Sequence, residues 1–289
     1  MEGLSAELLL RIIVFGAVAS GIWALAASGF SLIFGVVRIL NFAHGTIFVL
    51  SAYFGITLTN YGVNPYVAFV ASILFAGVFG VAMYKIALSP IRESKVMVII
   101  VTLAIALLVE QILMMTFGGH GISFPSLVEG VVYVAGVPIT YKRILTFIIA
   151  VIALISLEFF ITRTKTGKMI MATAEDMEAA MLIGIDTEKA LVITMFVSSI
   201  LAGLGGLLYS QIFATTPIVS LKALIYAFAI VILGGLGSVR GSIVAAFIVG
   251  YTLAITISLL GARWSEFVVL LTIIAILIVK PTGLYGVEE

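Results

Sequence analysis

The stretch Ile12-Ile-Val-Phe-Gly-Ala-Val-Ala-Ser-Gly-Ile-Trp-Ala-Leu-Ala-Ala-Ser-Gly-Phe-Ser-Leu-Ile-Phe-Gly-Val-Val37 runs 26 residues without a charge. A helix rising about 1.5 Å per residue over that length crosses a hydrocarbon core of about 30 Å. Eight further apolar runs follow, at 42–59, 66–84, 96–117, 144–161, 191–213, 223–239, 242–260 and 264–279. The whole chain is 63% hydrophobic and 10% charged, against about 45–50% and about 25% in soluble domains. One core cannot enclose so much apolar surface, so the excess faces lipid. The expectation is an all-α, polytopic transmembrane helix bundle of eight or nine spans. The runs at 42–59 and 223–239 are short and interrupted by glycine, as partial or broken helices would be.

Composition also excludes functions. A net charge of +1 provides no field to recruit nucleic acid. The absence of cysteine removes disulfides, thiolate metal sites and cysteine nucleophiles. Glu2 and Glu7 precede a first apolar run longer than the 7–15 residues of a signal peptide, so that run reads as a retained span. No linker separates a second domain, and residues 1–289 read as one transmembrane unit with a polar loop at about 162–190.

Lys and Arg set the orientation. With alternating loops, one side receives Arg38, Lys85, Arg92, Lys95, Arg163, Lys165, Lys168, Lys189, Arg240 and Lys280. The other receives Arg11, Lys142, Arg143, Lys222 and Arg263. The first group is twice as large and is assigned to the cytoplasm. Arg38 then ends the first span at the inner face, where its stem reaches lipid phosphates. Gly16, Ser20, Ala24 and Ser28 in the first span, and Ser198, Ala202, Gly206 and Ser210 in the sixth, form small-residue stripes. Such stripes let helix backbones approach closely in lipid. Both helices are expected at the bundle centre, running in opposite directions, as an inverted internal repeat requires.

Polar residues at membrane depth must face protein, water or headgroups, because an unpaired amide or hydroxyl in lipid costs ~2–7 kcal/mol. Asn41, His44 and Gly45 open the second apolar segment. Either they line the inner mouth of a translocation pathway, or Asn41 caps the helix and His44 bonds a backbone carbonyl. His44 has only His120 as a second imidazole and no acidic cluster beside it, so no metal site is expected. Gly234, Gly235 and Gly237 lie between two spans rather than between a strand and a helix, which rules out a dinucleotide fingerprint. They provide a broken pathway helix or a tight cytoplasmic turn. Glu158 sits near the inner boundary. Glu110, about seven residues from the outer end of its span, is an intramembrane carboxylate and a candidate polar site, pairing with Gln111 or a partner subunit.

In the loop, Thr173 and Asp176 have capping-box spacing, residues 174–183 are mostly good helix formers, and Gly184 is a stop. Asp186 is placed to cap the next helix. A helix of about ten residues is too short to stand alone. Met177, Ala180, Met181 and Ile183 give it an apolar strip, with Glu175, Asp176 and Glu178 beside it. That acidity disfavours an anionic lipid surface as host and favours a cytoplasmic protein.

Glu178-Ala179-Ala180-x-x-x-Gly184 resembles the signature of permease subunits of bacterial and archaeal ABC importers. The usual Ile-x-Leu-Pro ending is replaced by Thr194, Met195, Phe196 and Val197, as in a divergent branch. Gly35-Val-Val-Arg-Ile-Leu-Asn-Phe-Ala-His-Gly45, Ala172-Thr-Ala-Glu-Asp176 and Ile232-Leu-Gly-Gly-Leu-Gly-Ser-Val-Arg-Gly241 are similar to segments of branched-chain amino acid permeases, the smaller of two in that system. The resemblance implies an inner-membrane subunit of a prokaryotic importer with no catalytic residue, metal or cofactor of its own. It implies cytoplasmic ABC ATPase subunits, a homologous second permease and an extracytoplasmic substrate-binding protein as partners. Glu175, Asp176, Glu178, Ala179, Ala180 and Gly184 would carry the ATPase contact. The chain has no Gly-x-x-x-x-Gly-Lys-[Ser/Thr] and does not itself cradle nucleotide. Urea or short amides are alternative solutes. A proton- or sodium-coupled secondary transporter using Glu110, and an intramembrane hydrolase using Ser238 with a histidine, are readings from other classes.

Overall fold

The structure, a computed structural model, describes residues 6–38 and 40–285; Glu2 and Ile39, quoted above, lie outside them. The helices are α1 (Ala6–Val37), α2 (His44–Asn60), α3 (Pro65–Met83), α4 (Lys95–Phe117), α5 (Tyr141–Arg163), α6 (Lys165–Glu175), α7 (Met177–Leu182), α8 (Thr187–Ile212), α9 (Val219–Gly234), α10 (Val239–Leu259) and α11 (Ser265–Val279). Each of the nine apolar runs contains a helix, although residues 42–43 precede α2 and the end of the 223–239 run forms a turn. Seven helical segments are long and apolar enough to cross a membrane, while α2 and α9 are shorter. Beyond α3 the ladder widens into a π-turn over Tyr84–Leu88 and tightens again at Ser89–Ile91, where Pro90 has no N–H to donate. A hairpin of β1 (Val131–Val134) and β2 (Val137–Thr140) precedes α5. Its two turn residues, Ala135 and Gly136, both have positive φ, matching the right-handed twist of the strands.

The two short helices begin inside the bundle. The His44 imidazole Nε2 lies 2.8 Å from the Ala26 carbonyl. That places the start of α2 eleven residues, roughly 16 Å, above the inner end of α1. From there α2 runs outward, and Tyr53 Oη donates to Thr215 in the outer α8–α9 loop. α9 starts against the start of α2, with the Ser220 carbonyl and Leu224 filling the space a Gly45 side chain would need. It ends at the inner face, where Gly237 just beyond it packs on Gly35. The order of long helix, half-helix, long helix and peripheral helix thus occurs in α1–α4 and again, upside down, in α8–α11.

Packing obeys the same symmetry. Gly250 of α10 closes on Ser20 of α1, and Gly80 of α3 closes on Ser199 of α8. Ser198 Oγ donates to the Gly29 carbonyl at 2.6 Å, and Gly206 lies on the Phe48 backbone. Both small-residue stripes are buried, and α1 and α8 form the centre of the bundle. Dispersion between closely packed backbones and interhelical bonds hold this centre, since lipid gives helices little hydrophobic reason to associate.

A methyl group at Gly206 overlaps the Phe48 carbonyl, which is backbone and cannot rotate away. Gly206→Ala is therefore expected to cost about 1–3 kcal/mol, read as a lowered unfolding midpoint in detergent. Gly119→Ala, where only the end of Met114 is near, is the control and should leave the midpoint in place.

Candidate functional site

At the mid-membrane crossing the N-termini of α2 and α9 touch. Neither has a side-chain cap on its first turn. Asn41 forms a turn just before α2, its Oδ1 accepting from Ala43 N at 3.0 Å, while Phe42 N donates to Thr102 Oγ1. Asn41 and His44 are fully buried, with Asn41 Nδ2 and His44 Nδ1 unpartnered among the described residues. The His44–Ala26 bond holds them deep in the bundle, packed on α1. His44 thus bonds a backbone carbonyl, whereas Asn41 closes a turn ahead of α2 rather than capping it.

Glu110 of α4 joins this crossing. Ser220 Oγ, in the first turn of α9, donates to Glu110 Oε2 at 2.5 Å. A carboxylate at a helix N-terminus has the charge sign that the helix dipole favours. Its partner is Ser220, not Gln111.

Outward of the crossing, a cavity of about 510 Å³ lies between α1, α8, α9, α10 and α11, with Arg143 of α5 at its edge. Trp23 stacks on Tyr226 at 4.7 Å and on Phe48 at 6.0 Å between ring centroids. The Lys222–Glu266 ion pair and Arg143, whose guanidinium lies 4.1 Å from the Phe15 ring centroid, supply its charge. The site therefore offers an aromatic wall and charges of both signs.

At the inner face the predicted pathway glycines form a turn rather than part of the crossing. α9 stops at Gly234, and Gly235 and Gly237 take φ values of +101° and +83°. Leu284 N and Tyr285 N donate to the Leu233 and Gly234 carbonyls, satisfying acceptors that a helix end leaves open. Ser238 caps α10 by accepting from Gly241 N. Both histidines lie elsewhere, which removes the Ser238–histidine hydrolase arrangement. A second cavity, about 690 Å³, lies between the α9–α10 turn, the end of α1 with Arg38, and Glu175 of α6.

The loop from 162 to 190 holds two helices where one was expected. Thr173 does not open a capping box: it lies within α6, with its Oγ1 bonded back to the Met169 carbonyl. The chain breaks at Asp176, in extended geometry, and the Asp176 carboxylate accepts from Glu178 N and Ala179 N at 2.9 and 3.0 Å to start α7. Gly184, with φ of +82°, ends α7; its N–H bonds Met181 and that of Ile185 bonds Ala180, a Schellman closure. Asp186 caps α8. The expected apolar strip divides. Ala180 is buried, whereas Leu182 and Ile183 are 88% and 76% exposed beside Met181.

A family described as "Branched-chain amino acid transport system / permease component" matches residues 12–277. The chain belongs to this family. It is 26% identical to the high-affinity branched-chain amino acid transport system permease protein LivH of Escherichia coli (strain K12), over 95% of this chain and 94% of that protein. It is 25% identical to BraD of Pseudomonas aeruginosa, a permease protein of the same description, over 97% and 96%. PsaBC from Streptococcus pneumoniae in complex with Fab shares the fold, with a TM-score of 0.53 at 12% identity over 98% and 96% of the two chains. As a permease component with seven apolar spans among its described residues, the chain is a multi-pass subunit of the cytoplasmic membrane.

Trp23, Tyr209, Tyr226, Lys222 and Glu266 were not singled out from the sequence of this permease. They are more than 240 residues apart at the extremes, and only the charge count that set the orientation touched Lys222. The Glu110–Ser220 contact is testable by a mutant cycle. Glu110→Leu leaves the Ser220 hydroxyl without its acceptor and should destabilise by about 1–3 kcal/mol. Glu110→Gln keeps an acceptor oxygen and should cost less, and Glu110→Leu with Ser220→Ala should recover most of the loss in thermal unfolding.

Proposed function

We propose that this permease imports branched-chain amino acids by alternating access, driven by separate ATPase subunits docked on residues 174–184. The observation that carries the reading is the family match over residues 12–277. It is supported by the bare apolar tip of α7, held by Asp176 at one end and Gly184 at the other. In this reading Leu182 and Ile183 enter a groove of the ATPase, Glu175 and Glu178 add charge at its edge, and Ala179 and Ala180 keep the helix slim against its own bundle.

Movement of α6 reaches the transport path through the inner cavity it shares with Arg38, Gly237 and Ser238. The crossing of α2 and α9, with Asn41, His44, Gly45 and Glu110, is the septum that opens and closes. The outer cavity fits the substrate class: its charges suit a zwitterion, and Val18, Trp23 and Leu253 suit an aliphatic side chain. A homologous second permease packs against α4 and α11, the least buried spans. A binding protein delivers solute at the outer face.

The test is leucine uptake in vesicles containing both permeases and the ATPases, with binding protein outside. Uptake is expected to require ATP. Ion-driven leucine uptake by this chain alone would instead establish a secondary transporter. Glu178→Arg and Gly184→Pro should each abolish ATPase docking and uptake while membrane insertion stays normal. Proline fixes φ near −65°, incompatible with the +82° of Gly184. Wild-type coupling in both variants would remove the assigned role of α7.

A further inference from the structure

α5 and α10 are both held against α1 at neighbouring residues. Ala150 of α5 closes on Gly21, and Ser20 Oγ donates to the Phe247 carbonyl of α10. Toward the cytoplasm the two helices separate and leave a groove of about 1,090 Å³ between them. Its walls are apolar, with Ile155 and Phe159 on α5 facing Ile243 and Phe247 on α10. Ile155 and Phe159 are 64% and 63% exposed, so the groove opens sideways rather than into the bundle.

The inner rim is basic. Arg163, Lys168 and Arg240 line it with one carboxylate, Glu158. Arg240 is paired to Glu158. Arg163 and Lys168 are in no ion pair among the described residues. The groove therefore carries two uncompensated cations at the cytoplasmic end of an apolar slot. Ile155 lies eight residues, about 12 Å, from Arg163 along α5, which suits an acyl chain lying below a headgroup.

We propose that this groove is a binding site for an anionic glycerophospholipid of the inner leaflet. The phosphate meets Arg163 and Lys168, and the acyl chains lie along Phe159 and Phe247. Guanidinium and ammonium groups recognise phosphate by charge-assisted hydrogen bonds, and basic pockets between membrane helices on the cytoplasmic side suit acidic headgroups. A soluble anion would use the rim but not the walls, whereas a zwitterionic lipid would fill the walls without answering the charge. Because Lys168 belongs to α6, an occupied groove also holds the first turn of the loop helices in place. The site requires only that the protein spans the bilayer and does not depend on the identity of the transported solute.

The test uses the purified full chain in neutral detergent, with phosphatidylglycerol, phosphatidylcholine or inorganic phosphate added. Phosphatidylglycerol is expected to raise the unfolding midpoint by about 3 °C or more and to persist as an adduct in native mass spectrometry, unlike the other two. Arg163→Gln combined with Lys168→Gln should abolish that preference, while Lys142→Gln at the outer face should keep it. Equal effects of phosphatidylcholine, an equal effect of phosphate, or an undiminished preference in the double variant would each overturn the proposal. The chain has no cysteine, so Phe159→Cys carries a single benzophenone label. In vesicles of the assembled transporter it should crosslink to lipid, and crosslinking to the second permease instead would overturn the site.

Discussion

Gly45 has no side chain, and the Ser220 carbonyl stands where one would be. This contact lets two helices begin in the middle of the membrane. Backbone groups in lipid have no water to bond, so a helix start at that depth must be enclosed by protein. Here the Ala26 carbonyl of α1 accepts from His44 Nε2, Thr102 takes the Phe42 N–H, and Ser220 bonds Glu110. The inverted architecture follows from that enclosure: α2 leaves the crossing outward, α9 leaves it inward, and α1 and α8 flank both.

Most of the architecture was legible from apolar run length and from small residues spaced by four, because both reflect a requirement that applies along the whole helix. The short runs at 42–59 and 223–239 were readable as partial helices for the same reason. The stop at Gly184 was also legible, since a left-handed helix end is local chemistry. The break at Asp176 was less so: Thr173 and Asp176 have capping-box spacing, but Thr173 bonds back to Met169, leaving Asp176 to start a second helix. The depth of His44 was hidden because it depends on Ala26, eighteen residues earlier. The outer cavity was hidden because its lining comes from six parts of the chain.

The inner cavity gives the proposed cycle a physical route. α6 faces it through Ile170, Ala174 and Glu175, α1 through Gly35 and Arg38, and the α9–α10 turn through Gly237 and Ser238. Arg38 adopts a left-handed φ of +52°, uncommon for a residue with a side chain, and there α1 ends to let the chain climb back to α2. A displaced α6 would thus act on the end of the central helix and on the turn below α9 together. Proximity alone is not coupling; the weight of the route lies with the loop substitutions that separate docking from insertion.

α9 itself has little freedom to bend. Its start is closed on Gly45 and bonded to Glu110, and its end is packed backbone to backbone, Gly234 on Gly241, with Leu284 and Tyr285 bonding its last carbonyls. Tightly packed interiors shift between discrete arrangements more readily than they deform. The crossing therefore moves, if the proposed cycle holds, as a block of α2, α9 and α10 against less tightly held neighbours. α4 meets that block chiefly along α2 and through one carboxylate. Elements with few buried contacts yield first, so in the proposed cycle the gate would open where α4 slides past the crossing, and the Glu110–Ser220 bond would have to be broken or carried along.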